Sequence, residues 1–166
     1  MKTLEWTTID KSAWGPGAWQ DEPDKRQWQD AATGLPCLMV RNQRTGNWCG
    51  YVGVPEGHPY YGKDYDSVDV DVHGGLTFAD KCADVKGDYA RHICHLPEPG
   101  EPDAVWWLGF DCHHFMDFAP GMQAFNERAF PGNPLFARDP SETYRTVAYV
   151  TRECEELARQ LAEAAK

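Results

Sequence analysis

The 166-residue chain has no long hydrophobic run. Nothing approaches the roughly 20 apolar residues of a membrane span, and the opening Met1-Lys2-Thr3-Leu4-Glu5-Trp6 lacks the apolar core of a secretory signal. A cytoplasmic location is the expectation. Bases are scarce, 16 Lys and Arg against 26 Asp and Glu, for a net charge of −10. Phosphate backbones and anionic membranes are gripped by Lys and Arg, so this balance argues against direct nucleic-acid or membrane binding. Familiar catalytic signatures are missing too. There is no Cys-x-x-Cys, no His-Glu-x-x-His, no Gly-x-Ser-x-Gly and no glycine-rich phosphate loop opening a helix. Redox dithiol chemistry, zincin-type proteolysis, serine acyl transfer and P-loop chemistry lose their usual carriers.

Six cysteines are present, at 37, 49, 82, 94, 112 and 154. A chain of this length has enough core not to need a disulfide staple, so reduced thiols are the expectation. A structural zinc site drawn from Cys82, Cys94, His92 or His95, and Cys112 is the alternative use of them.

The sequence reads as one α+β domain spanning 1–166, mainly an antiparallel sheet with a long C-terminal helix packed on one face. Residues 1–35, with Trp6, Trp14, Trp19 and Trp28 among Gly, Pro and acids, read as an irregular arm pinned by its indoles. Pro23 is suited to start a short helix over 23–32. Sheet strands are read within 36–112. Two apolar runs, 37–41 and 48–54, flank Arg44-Thr45-Gly46-Asn47, a hairpin connection. Ser67-Val68-Asp69-Val70-Asp71-Val72-His73 alternates strictly, as a half-buried strand does, and Gly74-Gly75 turns it toward Leu76-Thr77-Phe78. The last strand is 104–112. A long connection over 113–138 leaves room for a short helix between its two Pro-Gly pairs. Asp139-Pro140-Ser141-Glu142 then has the form of a helix start, and the apolar positions from Val147 to Ala164 step by three and four, giving a helix over 139–165. Its seam covers the sheet or, alternatively, joins two copies, so monomer and dimer are both open.

Alternation also assigns faces. Asp69, Asp71 and His73 share one face of their strand, and Trp107, Gly109, Asp111 and His113 share one face of theirs. Side by side, opposite the helix, they gather carboxylates and imidazole near an indole, with His114 at the rim and Asp117 close by. Such a cluster takes a small polar ligand, Asp71, His73, Asp111 and His114 supplying polar contacts and Trp107 a stacking platform. His73, Asp111 and His114 are also ligand types for Zn²⁺ or Mn²⁺, which would activate water for hydrolysis. His58, in Pro55-Glu56-Gly57-His58-Pro59, either sits in a functional loop or caps a turn.

Thr33-Gly34-Leu35-Pro36-Cys37, Trp48-Cys49-Gly50-Tyr51-Val52-Gly53-Val54, His73-Gly74-Gly75-Leu76-Thr77 and Trp106-Trp107-Leu108-Gly109-Phe110-Asp111-Cys112 together resemble a widespread family of small proteins encoded by tailed bacteriophages and prophages. In that family the last motif continues Ala-His after its Cys, which matches His114 and makes His113 the departure. The resemblance implies a context rather than a chemistry: an accessory function in the host cytoplasm, of host-takeover or anti-defence type. Within it, the residues suit binding of a nucleotide-like ligand, a metal-dependent hydrolase of a nucleotide-type substrate, or an acidic mimic of DNA that occupies a host protein.

Overall fold

The computed structural model describes residues 1–82 and 87–166. Its centre is a six-stranded sheet of β1 (Leu4–Trp6), β2 (Lys25–Gln29), β3 (Pro36–Arg41), β4 (Trp48–Pro55), β5 (Phe78–Lys81) and β6 (Val105–Asp111). The spatial order is β1-β2-β3-β4-β6-β5, and every neighbouring pair is antiparallel. Two helices follow, α1 (Pro120–Ala129) and α2 (Val147–Ala164). This is the α+β, single-domain arrangement read from the sequence. Among the described residues no helix is long and apolar enough to cross a membrane.

Helix α2 lies on one face of the sheet. Val150, Cys154, Leu157, Ala158 and Leu161 are fully buried against Cys37, Met39, Val52, Leu108 and Phe110. Each buried leucine contributes about 1.5–3 kcal/mol, so this seam is a principal source of stability. The helix approaches closely because β4 has Gly50 there: a Cβ at that position would fall 2.5 Å from the Phe110 ring and 2.8 Å from Cys154 Sγ.

The other face is also covered. Leu38, Tyr51, Val105 and Trp107 form a second buried cluster, joined by Ile93 from the segment between β5 and β6. That segment is fastened by polar groups. Buried Lys25 donates to the carbonyls of Tyr89, His92 and Cys94, and burial pushes its ammonium pKa down to about 8. Gln27 exchanges hydrogen bonds with the backbone of Leu96.

Several sequence expectations are corrected. Residues 25–29 form β2 rather than part of a helix. Lys25 and Gln27 are buried polar residues satisfied by backbone carbonyls, so no apolar alternation marked the strand. Residues 67–73 are not a strand. Tyr65–Ser67 is a 3₁₀ turn whose preceding Asp64 side chain caps it, and 68–73 runs extended along α2. Val68 and Val72 point into the core, which explains the alternation, but the backbone partners are helix side chains. Gln160 bonds both the N–H and the C=O of Asp71, and Glu153 accepts from the His73 N–H. The partner of β5 is consequently β6.

Helix α2 starts at Val147, not near 139. Thr146 is its cap, accepting from Tyr149 N, while Asp139 closes a local turn through Ser141 and Glu142. Finally, Cys82 and Cys94 form a disulfide, leaving Cys37, Cys49, Cys112 and Cys154 as thiols. The bridge staples a segment with little core of its own to β5, and it removes the proposed structural zinc set.

Candidate metal centre

Where β6 ends, the chain turns sharply and places His114 and Asp117 beside His73. The turn is closed locally: Asp117 N donates to His114 O at 3.0 Å, and His114 N donates to Asp117 Oδ2 at 3.0 Å. Between them Met116 has φ 73°, the one positive value at a non-glycine among the described residues. Holding it there costs about 1–3 kcal/mol. Thr143 offsets that cost, donating to Met116 O at 2.8 Å and accepting from Phe118 N at 3.0 Å. The strained backbone thereby fixes the direction of the Asp117 side chain.

Asp117 is 1% exposed and fully engaged. Oδ1 accepts from Arg145 Nε at 2.7 Å, and Oδ2 accepts from His73 Nε2 at 2.7 Å in addition to the His114 N–H. Burial by itself would raise its pKa. The Arg145 bond, the His114 N–H and His73 outweigh that and hold the carboxyl below the usual range. When Nε2–H donates to this carboxylate, Nδ1 is the acceptor for Tyr149 OH, 3.0 Å away. The Tyr149 phenol is raised by burial and by Glu153, so it stays a donor.

His114 completes the group. Its ring centroid is 5.4 Å from that of His73. Gly74 makes the approach possible, because a Cβ there would lie 2.2 Å from His114 Cε1. His114 Nδ1 is buried and has no hydrogen-bond partner, 3.8 Å from Asp117 Oδ2 and 3.9 Å from Asp111 Oδ1. Two tetrahedral ligands at about 2.1 Å from zinc stand about 3.4 Å apart, so 3.8 Å is near the spacing a bridging cation needs. His73, His114 and Asp117 each offer one ligand atom, those atoms all lie within 4.8 Å of one another, and the group could hold a metal ion.

The structure thus brings His73 and His114 together, on the side of α2 rather than opposite the helix. The carboxylate within the group is Asp117. Asp111 stands next to it, accepting from His113 N at 3.0 Å, and His113 itself is exposed. Asp71 is exposed, and its backbone N–H and C=O bond to Gln160. Trp107 is not a platform: it is 0% exposed on the opposite face, against His95 at 5.3 Å between ring centroids. His58 acts structurally, its Nε2 on Leu161 O and its Nδ1 accepting from Tyr60 N. The acidic mimic of DNA would need its carboxylates displayed, and two of them, Glu22 and Asp24, are instead turned inward onto Arg41. Sequence reasoning missed Tyr149 and Glu153, which flank the apolar seam of α2, and Arg145, just before its Thr146 cap; all three read as ordinary solvated positions.

No protein-family model matches the chain, and neither does any curated protein or solved structure.

Proposed function

We propose that this protein is a metal-binding accessory protein, in which His73, His114 and Asp117 hold a Zn²⁺ or Mn²⁺ ion and present it to a small polar, nucleotide-like ligand. The observation that supports this is the buried, unpartnered His114 Nδ1 facing a buried carboxylate. An orphaned buried nitrogen costs about 1–3 kcal/mol, and a cation between it and Asp117 removes that cost. Two imidazoles and one carboxylate suit Zn²⁺ or Mn²⁺ and leave coordination positions open.

A metal on His73 Nε2 and Asp117 would replace their hydrogen bond, the Nε2 proton moving to Nδ1, which would then donate to the Tyr149 hydroxyl oxygen. Arg145 keeps Asp117 oriented through its second oxygen, and Tyr149 orients His73 through Nδ1, the outer contacts that a metal site needs. An open position would take water or an anionic oxygen of the ligand, and the ion would supply Lewis acidity. Asp111, beside His114, is then placed as a proton acceptor for that water, which is the hydrolase form of the reading. In the phage setting implied by the sequence motifs, such a centre would sequester or degrade a host nucleotide.

The test is metal content together with calorimetry. Protein purified without chelator should carry, or take up, about one Zn²⁺ or Mn²⁺ per chain, and His114→Ala should lose it while keeping its far-UV circular dichroism. A wild-type chain that neither contains nor binds either ion at micromolar concentration ends the proposal.

A further inference from the structure

A second candidate site lies elsewhere and shares no residue with the His73 cluster. It is a groove of about 640 Å³ between the β3–β4 turn and α1, with Trp14 and Phe125 on its walls and Arg44 and Arg128 along it. Its size falls within the usual range of about 300–1,000 Å³ for small-molecule sites.

The groove is rigidly built. Gly121 N and Met122 N both donate to Thr45 O, at 2.9 and 3.2 Å, so turn and helix are joined backbone to backbone. Two glycines permit that contact. A Cβ on Gly46 would lie 2.9 Å from Gly121 N, and one on Gly121 would lie 2.6 Å from Arg44 O. Trp14 rests over the same seam, 3.1 Å from the Cβ position of Gly46.

The charges are unusual for this chain. It has nine arginines. Among the described residues, Arg26, Arg41, Arg145 and Arg159 are ion-paired, while Arg138 and Arg152 lie over aromatic rings. Arg44, Arg91 and Arg128 have neither kind of partner among those residues, and two of these three line one groove. In a protein of net charge −10, two guanidinium groups without an ion-pair partner among the described residues, beside two aromatic side chains, make a local site for an anion that carries a flat ring.

We propose that this groove binds a nucleoside phosphate, the phosphate held by Arg44 and Arg128 and the base set against Trp14 and Phe125. Guanidinium forks take phosphate oxygens in pairs, and indole and phenyl faces stack a base of any sequence. The exposed side-chain amide of Gln43 is available to the base edge. The overall negative charge selects a small ligand over a polynucleotide, whose further phosphates would be repelled. The site needs no metal and stands or falls apart from the centre at His73.

Fluorescence titration with a mant-labelled ADP, in the presence of chelator, tests it. Saturable binding should appear, with unlabelled ADP competing at least about tenfold better than adenosine or inorganic phosphate alone. Arg44→Ala/Arg128→Ala and Trp14→Ala should each weaken binding by about tenfold or more, while His114→Ala leaves it unchanged. Arg44 and Arg128 are exposed, so loss of both leaves the fold intact, and an unchanged melting temperature verifies this. Failure to saturate by millimolar ADP, equal competition by phosphate alone, or full binding by the double arginine variant each overturns the proposal.

Discussion

His73 and Asp117 are 44 residues apart in the chain, yet Nε2 and Oδ2 meet at 2.7 Å, and their other contacts tie them to α2 and to the residue just before its cap. His73 reaches Tyr149, and Asp117 reaches Arg145. The pair therefore couples the turn after β6 to the start of the helix, so the candidate centre and the packing of α2 depend on the same bonds.

Gly74→Ala should empty the centre without unfolding the protein. The new methyl would fall on the His114 ring, and Gly74 sits at φ 67°, where an L side chain is strained. His114 is half-buried at the rim, so it can swing outward and carry Nδ1 away from Asp117. Zinc affinity measured by calorimetry should fall by at least about tenfold, the usual scale for a displaced or misoriented ligand. Denaturation should show a loss of only about 1–3 kcal/mol. Gly75→Ala, with open space around its Cβ position, serves as the comparison and should retain the metal.

Glu22→Ala should be among the most destabilising single changes. Glu22 accepts from Arg41 Nη2 at 2.9 Å, from Trp48 Nε1 at 3.2 Å, from the Tyr144 hydroxyl and from the Val147 N–H that opens α2. Arg41 is 0% exposed and shares its charge between Glu22 and Asp24. Removing one acid leaves that guanidinium partly uncompensated in the interior, at a cost of about 3–5 kcal/mol by urea denaturation. Glu22→Gln keeps an acceptor for Val147 and should cost less. If both variants melt with the wild type, this network does not anchor the helix.

How far such sites can be read from sequence depends on where their partners come from. Strands β3, β4 and β6 were legible because continuous apolar runs are buried on both faces, and the seam of α2 because its period is unbroken. The strand β2 was not, since its buried residues include Lys25 and Gln27, and most of the carbonyls that satisfy them lie more than 60 residues away. The run 67–73 showed the right inward and outward sides but the wrong partner, because an extended chain on a helix has the same period as one in a sheet. His73 and His114 were recognisable by type. Of the side chains that orient this pair, Tyr149 occupies a helix position that amphipathic patterning assigns to solvent, and Arg145 lies just before the helix cap, where no periodicity marks it.

Acidification should loosen the start of α2 before the rest of the sheet. Glu22 feels burial first, which raises it, but the Tyr144, Val147, Arg41 and Trp48 bonds together hold it below its ordinary 4.5. Asp117 is held below 3.8 in the same manner. A carboxyl depressed in the folded state lends stability that is complete above its unfolded value and is lost as pH falls through the folded one. Stability should therefore be flat with respect to these two groups above about pH 5 and fall below pH 4, with the Val147 amide losing hydrogen-exchange protection early. Glu22→Gln should flatten the acid limb. An acid limb unchanged in that variant would assign the transition to other carboxyls.

Reduction of the Cys82–Cys94 bridge should release the segment that covers Trp107 while leaving α2 in place. The bridge closes a short loop, with a sequence separation of 12, and a loop of that order is worth about 2–4 kcal/mol. Its effect adds to that of Lys25, whose three carbonyl partners all lie in the same segment. With a phosphine reductant the melting temperature should drop by about 5–15 °C. The Leu96 amide, bonded to Gln27 Oε1, should then exchange faster than amides of β4. Thiol titration of the unfolded chain checks the premise, with four reactive cysteines before reduction and six after. Six thiols in both states would show that the bridge does not form, and the covering segment would then be held without it, by contacts that include Lys25, Gln27, Ile93 and His95.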